Sequence, residues 1–214
     1  MYSYELLKNH AGILLCGDYL SLQSLREVVH EVNEKSVLIN DKEGVFLGLA
    51  YDARKACEQQ RQVLKPPKHS EEIGVRYGVE ILWPVLLVQC RMLRASLAGF
   101  DSTKRHQAVT YALEDTIERA IDEAFGAGAK LAKERWYLID PSHPFAEQKL
   151  MSRGAQFSIW TGTQRKAGLA GLLASLDPMY PAIYQHLVDG GEAGLVAPAE
   201  LDALTDVEWP DPKW

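Results

Sequence analysis

The sequence contains few cysteines, and those it has stand far apart. Cys16, Cys57 and Cys90 show none of the close spacing of metal-binding cysteines, and an odd number cannot pair completely. We therefore expect reduced thiols and a cytoplasmic protein. A long apolar run is also missing, because the longest one, residues 79–90, contains Glu80 and is too short to span a bilayer. A disulfide-stabilised secreted domain and a membrane protein are therefore not expected.

Motifs that identify common enzyme classes are missing as well. The chain has no Gly-x-Ser-x-Gly element of the α/β-hydrolases and no Gly-x-Gly-x-x-Gly dinucleotide fingerprint. Glycine-rich stretches at residues 126–130 and 162–166 lack the spacing of a phosphate-binding loop. We therefore assign no cofactor and no catalytic residue, and whether the protein is an enzyme stays open.

One helical pattern carries metal-ligand side chains at intervals of three or four residues. Its members are Glu27, His30, Glu31 and Glu34. Carboxylate-bridged di-iron bundles need a second Glu-x-x-His, and zinc proteases need a second histidine where Glu34 stands. Neither requirement is met. We therefore predict no metal site and interpret the pattern as a solvated helix face with one histidine.

The net charge of −6 is unevenly distributed. Residues 189–214 contain seven acidic residues and one lysine, so the preceding 188 residues are neutral overall. A neutral body with an acidic tail argues against nucleic acid as a partner. With 47% apolar and 24% charged residues, the chain has the composition of a folded protein. We expect one domain at residues 1–188, followed by an acidic C-terminal arm at residues 189–214.

The clearest structural signal lies at residues 73–99. Apolar side chains alternate with polar residues or glycine up to Ile81, which predicts a strand with one buried face. From Val85 the apolar spacing fits a buried helix instead, with two apolar faces that other elements should cover. Pro84 suits the first turn of that helix, where its missing N–H has no partner to lose.

The rest of the N-terminal half predicts a small antiparallel sheet with helices. Strands are expected at residues 2–6, 13–16 and 36–40, and a helix capped by Ser21 follows the second of them. A further helix should lie within residues 45–64, although its first five residues could instead form a strand.

The C-terminal half predicts mainly helices. A long helix should begin after a cap at Asp101 or Ser102 and run to about Phe125. Short strands are expected at residues 136–139 and 157–160, and the later helices at 144–151, 164–176, 179–188 and 197–204. The predicted fold class is therefore α+β: an antiparallel sheet from the N-terminal half is covered by long helices, and a mainly helical C-terminal half follows.

Three stretches together resemble a family of uncharacterised bacterial proteins. They are Gly17-Asp18-Tyr19 with Leu22, Leu25 and His30; Tyr51-Asp52-Ala-Arg54-Lys55-Ala56; and Tyr77-Gly-Val-Glu-Ile-Leu-Trp83-Pro84. The resemblance covers about residues 12–98. It implies a soluble bacterial protein, and because the family has no assigned activity, it implies no catalytic residue.

Basic residues gather where the buried helix ends and the long helix begins. Cations at a helix N-terminus are unfavourable by about 0.3–1 kcal/mol each when exposed, so an anion held by backbone N–H groups there would compensate them. The alternative is that the cap satisfies the terminus and the side chains reach solvent or the acidic tail. The candidate ligand-binding residues are Arg91, Arg94, Ser102, Thr103, Arg105 and His106, together with Arg54 and His30.

The C-terminal arm provides the second functional hypothesis. Trp209 and Trp214 are large aromatic side chains in a charged tail, and such side chains are expected to dock on a surface. They could dock on their own chain or on a second copy. We therefore expect a binding or interaction protein that forms a homo-oligomer, with a dimer favoured. The alternative is an enzyme or small-anion-binding protein that uses the basic residues, with His106 or His30 as the acid–base group.

Overall fold

The N-terminal half forms a four-stranded antiparallel sheet. A computed structural model describes residues 1–66, 69, 71–205 and 207–211. The strands are β1 (Ser3–Leu6), β2 (Gly12–Gly17), β3 (Gln62–Leu64) and β4 (Arg76–Leu82), in the spatial order β1-β2-β4-β3. The rest of the described chain is largely helical, so the predicted α+β class is confirmed.

Helices account for most of the remaining structure. They are α1 (Tyr19–Lys35), α2 (Val45–Cys57), α3 (Trp83–Ser96), α4 (Lys104–Phe125), α5 (Ala129–Tyr137), α6 (Phe145–Ile159), α7 (Gly162–Ala174), α8 (Tyr180–Asp189) and α9 (Pro198–Asp202). Short 3-10 turns occur at Lys8–His10, Glu71–Ile73 and Gly126–Gly128. One apolar core joins the sheet to α1 through α7.

The central strand–helix unit is present, with Pro84 in the first turn of α3. The strand begins at Arg76, later than predicted, because Ile73 belongs to a 3-10 turn and Gly74 has a left-handed φ of 74°. The predicted alternation still sets the register, since Val79 pairs with Leu15 and both are buried. Helix α3 contacts both the sheet and the surrounding helices, as its two apolar faces require.

Two predictions around α2 need correction. Residues 45–49 are helical, but the helix ends at Cys57 and does not reach residue 64, because Gln59 adopts a φ of 58° and the chain then enters β3. The short strand β3 depends on a non-local partner, β4, that local spacing does not reveal. No strand forms at residues 36–40, where Ser36 instead ends α1 and its hydroxyl accepts the N–H of Leu38 at 3.2 Å.

The two strands predicted in the C-terminal half are wrong. Residues 136 and 137 end α5, and residues 157–159 end α6. Apolar runs this short fit a buried helix turn as well as a strand. Trp136 is fully buried, and its indole N–H donates to the Leu87 carbonyl oxygen at 2.8 Å, which fixes α5 against α3.

Two helix caps also differ from the prediction. Asp18 caps α1, because its Oδ1 accepts the N–H of Ser21 at 2.8 Å, so Ser21 already lies inside the helix. Thr103 caps α4, in place of Asp101 or Ser102. In both cases the cap is another side chain with a good acceptor close to the predicted position.

Two buried arginines fix α6 against α7. Arg153 of α6 donates to the hydroxyl and carbonyl oxygens of Ser175, at the end of α7, at 3.1 and 2.8 Å. Arg165 of α7 donates to the carbonyl oxygens of Phe157 and Ser158, at the end of α6, at 3.0 and 2.9 Å. Each helix therefore supplies the cation that satisfies the C-terminal carbonyls of the other. This pairing holds α6 in place.

Part of the predicted C-terminal arm packs on the body of the protein. Val196 and Leu201 are buried, and Tyr180 donates its hydroxyl to the Val196 carbonyl oxygen at 2.8 Å. Farther along the arm, Trp209 packs on α6. Trp214 and the arm's residue 206 lie outside the described residues.

Candidate functional site

A cavity of about 450 Å³ lies between the turn before α2, the first half of α6 and the C-terminal arm. Its apolar wall consists of Val45, Pro144, Leu150 and Met151. Its polar groups are those of Asn40, Asp41, Glu147 and Gln148, and the indole of Trp209 completes the lining. An apolar wall with a few convergent polar groups is the usual composition of a small-molecule site.

Asp41 and Glu147 approach each other over Gly44, which precedes α2. A Cβ atom at Gly44 would lie 2.6 Å from Glu147 Oε1 and 2.9 Å from Asp41 Cγ. Both distances are shorter than normal contacts, so any larger residue would move the two carboxyl groups. The glycine therefore lets two acidic groups from distant parts of the chain share one side of the cavity.

Glu147 carries the least satisfied polar atom of this site. Its Oε1 is buried and has no hydrogen-bond partner in the described part of the protein. Burial raises the pKa of the Glu147 carboxyl above its usual value, Asp41 raises it further, and the N–H of Val45 partly opposes the shift. A buried oxygen without a donor is unfavourable, and either a proton or a ligand donor would relieve it.

Trp209 is held at the edge of the cavity by α6. Its indole N–H donates to the Met151 carbonyl oxygen at 2.8 Å. Its ring lies directly over Gly154, where a Cβ atom would come within 1.9 Å of Cζ2. The arm therefore docks on its own chain at this point, which is one of the two arrangements expected for the tail tryptophans.

The predicted basic residues lie elsewhere, at the start of α4. The N–H of Thr103 donates to His106 Nδ1 at 2.9 Å, and the Thr103 hydroxyl accepts the N–H of His106 at 3.3 Å. Since Nδ1 is an acceptor, His106 Nε2 carries the proton and donates to Glu31 Oε2 at 2.9 Å. A hydroxyl and a carboxylate are thus both within reach of this buried histidine.

The acidic helix face and the basic residues that the sequence singled out separately meet across α1 and α4. Arg105 forms an ion pair with Glu27, one turn from the contact between His106 and Glu31. Arg94 lies 3.6 Å from Glu114 and stacks over Tyr111. Sequence spacing identified both sets but could not show that they pair, because the contact depends on how α1 packs against α4.

The remaining predicted residues are dispersed. Arg91 has a buried Nε without a hydrogen-bond partner in the described part of the chain, and Ser102 is half-buried just before the Thr103 cap. Arg54 lies 3.8 Å from Glu58 and over the Tyr51 ring.

His30 is exposed on α1. Partial burial lowers its pKa, and the charges of Arg26 and Arg54 lower it further. His30 therefore lies near Arg54 on the packed pair α1 and α2.

Sequence reasoning did not identify Asp41, Glu147 or Trp209 as one site. Asp41 lies in the turn before α2, Glu147 in a predicted helix and Trp209 in the arm, and nothing in their spacing joins them. The one local sequence feature associated with this site was Gly44, which lies three residues after Asp41 and directly before α2.

The described residues also bear on metals and membranes. They contain no group of three or more histidine, cysteine, aspartate or glutamate side chains placed to hold a metal ion. None of their helices has both the length and the apolar character needed to cross a bilayer.

Comparison with known proteins identifies a family and no function. A family model described as a domain of unknown function, DUF6904, matches residues 3–214. No curated protein and no solved structure matches the chain.

Proposed function

The chain belongs to this family of unknown function, and we propose from its own residues that it binds a small molecule in the cavity between α2, α6 and Trp209. The volume of about 450 Å³ falls within the range of about 300–1,000 Å³ that ligand sites occupy. The sequence led us to expect a binding protein, and the cavity supports that proposal.

The observation that carries this proposal is the unpaired Oε1 atom of Glu147. A buried carboxyl oxygen without a donor destabilises the fold, because it has lost its hydrogen bonds to water and gained none in the protein. An apolar group in the same place would not carry this penalty. The buried carboxyl is explained if the side chain turns towards the cavity and a ligand there compensates the carboxyl group with a donor or a positive charge. The proposal concerns binding, and it assigns no reaction to the site.

The wider expectations from the sequence belong to the same proposal. We propose a cytoplasmic bacterial protein, and the free thiols of all three cysteines support a reducing compartment.

We also retain the proposal of a homo-oligomer, with a dimer favoured. That proposal was based on the tail tryptophans, and its support is weaker because Trp209 docks on its own chain. Light scattering of the full chain tests it: twice the monomer mass is expected, and a monomer mass at every concentration contradicts it.

A smaller alternative proposal concerns an enzyme or an anion-binding protein that uses the basic residues of α3 and α4. The observation that favours it is the buried Arg91 Nε, which has no hydrogen-bond partner in the described part of the protein. Against it stand Glu27 and Glu31, which already pair with Arg105 and His106. We therefore place this alternative behind the cavity.

Thermal-shift screening with a library of small molecules of mixed charge tests the cavity proposal. Compounds that raise the melting temperature of the wild type should lose that effect in Gln148→Trp, because the indole would fill the cavity from an exposed lining position. Ile159→Trp is the matched control, since residue 159 is 56% exposed at the other end of α6 and lies outside the lining. The proposal is wrong if no compound distinguishes the two variants.

A further inference from the structure

The charge of the cavity has one sign. Asp41 and Glu147 contribute carboxyl groups, and no lysine, arginine or histidine occurs among the described lining residues. Two lysines are close in sequence, but their ammonium groups are engaged with other partners. Lys42 Nζ donates to the carbonyl oxygens of Asn33 and Ser36 at 2.6 and 2.9 Å, and Lys149 Nζ lies 3.0 Å from Asp202 Oδ1. The carboxyl groups are therefore not neutralised by these neighbours.

Trp209 adds a second feature that attracts positive charge. An indole ring is the best of the aromatic side chains for holding a cation over its face. The hydrogen bond to Met151 and the contact with Gly154 fix the ring in position at the cavity. A fixed ring costs less entropy on binding than a mobile one.

The rest of the lining distinguishes an organic cation from a metal ion. Calcium and magnesium require about six or more oxygen ligands around one point, counting bound water. Here the carboxyl groups share the cavity with Val45, Leu150 and Met151, which offer apolar surface. Such a wall suits the carbon skeleton of an organic molecule.

From these contacts we infer that the ligand is a small organic cation, a protonated or quaternary amine. Its charged group lies beside the carboxyl groups of Asp41 and Glu147, and its remaining surface lies against the Trp209 ring and the apolar wall. This inference rests on the proposed function, because it assigns a chemical class to the ligand of the same cavity.

Titration with probes of similar shape and different charge tests the inference. The probes are benzylammonium, its neutral counterpart benzyl alcohol, the anion benzoate, and choline as a quaternary amine. Binding is followed by the indole N–H resonance of Trp209, assigned by its loss in Trp209→Phe. At least one of the two cations should shift that resonance at concentrations where benzyl alcohol and benzoate do not.

Variants then locate the charge that is recognised. Glu147→Gln and Asp41→Asn should each weaken binding of that cation by about tenfold or more, equivalent to about 1.4 kcal/mol. Glu43→Gln is the matched control, since Glu43 is exposed in the same turn and does not line the cavity. An equal loss in the control would overturn the inference, because general surface charge would then explain the binding.

The screen and the titration fail in different ways. If neutral or anionic compounds bind the cavity as well as the cations do, the inference is wrong and the proposed function stands. If neither cation shifts the Trp209 resonance while the screen yields cavity ligands, the inference is wrong in the same way. If the screen yields no compound that Gln148→Trp blocks, the proposed function fails and the inference fails with it.

Discussion

Glu147 of α6 and Asp41 of the turn before α2 bring their carboxyl groups together over Gly44. Like charges at close range oppose each other, and burial of Glu147 adds to the cost. The protein maintains this contact beside an apolar cavity and a fixed tryptophan. The relationship is therefore unfavourable for the isolated fold, and it becomes favourable when a positive group lies between the two side chains.

Replacing Glu147 by glutamine should stabilise the protein at neutral pH. The folded-state pKa of Glu147 is raised above its ordinary value of 4.5, so wild-type stability falls as pH rises through the folded pKa. Below the unfolded pKa the carboxyl is protonated in both states and imposes no such cost. Glu147→Gln should therefore gain stability relative to the wild type as pH rises, by less than about 1 kcal/mol because the group is only half-buried.

Urea unfolding at several pH values measures this difference. Glu43→Gln, in the exposed part of the turn before α2, serves as the control and should show no comparable trend. A Glu147→Gln variant that is less stable than the wild type at neutral pH would show that the carboxylate stabilises the fold, against our interpretation.

Replacing Gly44 by alanine should weaken cation binding with little loss of stability. The added methyl group would meet the ends of two acidic side chains, which can rotate away without moving the backbone. We expect a change in the free energy of unfolding below about 1 kcal/mol and a clear loss of affinity for benzylammonium or choline. Gly128→Ala is a suitable control, because a Cβ at Gly128 meets no atom within 4 Å. Unchanged affinity in Gly44→Ala would mean that the position of the two carboxyl groups does not matter.

Replacing Gly154 by alanine should release Trp209 from α6. The methyl group would occupy the position of the indole ring. The ring is rigid, and its N–H also donates a hydrogen bond to the Met151 carbonyl oxygen. We expect destabilisation of about 1–3 kcal/mol and an indole N–H resonance of Trp209 that moves to the position of an exposed tryptophan. If that resonance stays in place in the variant, the ring does not depend on Gly154.

Replacing Glu31 by glutamine should destabilise the protein at neutral pH. The hydrogen bond from His106 lowers the pKa of the Glu31 carboxyl, and Lys35 lowers it further. Stability from a depressed pKa is present above the unfolded value and is lost as pH falls through the folded one. The difference between wild type and Glu31→Gln should therefore shrink in acid, from a value below about 1 kcal/mol because the carboxyl is largely exposed. Denaturant unfolding against pH measures it, with Glu34→Gln as the exposed control on the same helix.

Phosphate tests the alternative anion site at Arg91. If an anion binds this guanidinium group, phosphate at constant ionic strength should raise the melting temperature more than chloride does. The effect should disappear in Arg91→Met. Equal effects of phosphate and chloride would show that Arg91 binds no specific anion.

Local patterns in the sequence predicted much of the fold. The alternation around Val79 and the position of Pro84 identified the central strand and helix, because the signals for both lie within a few residues. The short strand β3 and the helical ends at Trp136 and Phe157 were missed for the opposite reason. Their conformations depend on packing against partners distant in sequence, such as β4 for β3 and α3 for α5.

The site was less accessible to sequence reasoning than the fold. Glu27 and His30 stand at a spacing that suggests a metal site, yet the acidic side chains of that helix face serve as partners for Arg105 and His106. Glu147 stands in no motif. Its importance comes from the approach of Asp41 and from Trp209, and both contacts exist only after the turn before α2 and the arm have packed on α6.

The central claim is that the cavity recognises positive charge through Glu147. Calorimetric titration of benzylammonium into wild type and Glu147→Gln, with benzyl alcohol as the neutral reference, tests it most directly. We expect the wild type to bind benzylammonium in preference to benzyl alcohol, and Glu147→Gln to lose about tenfold of that preference. Equal affinity of the wild type for the two probes, or a preference that survives in Glu147→Gln, would contradict it.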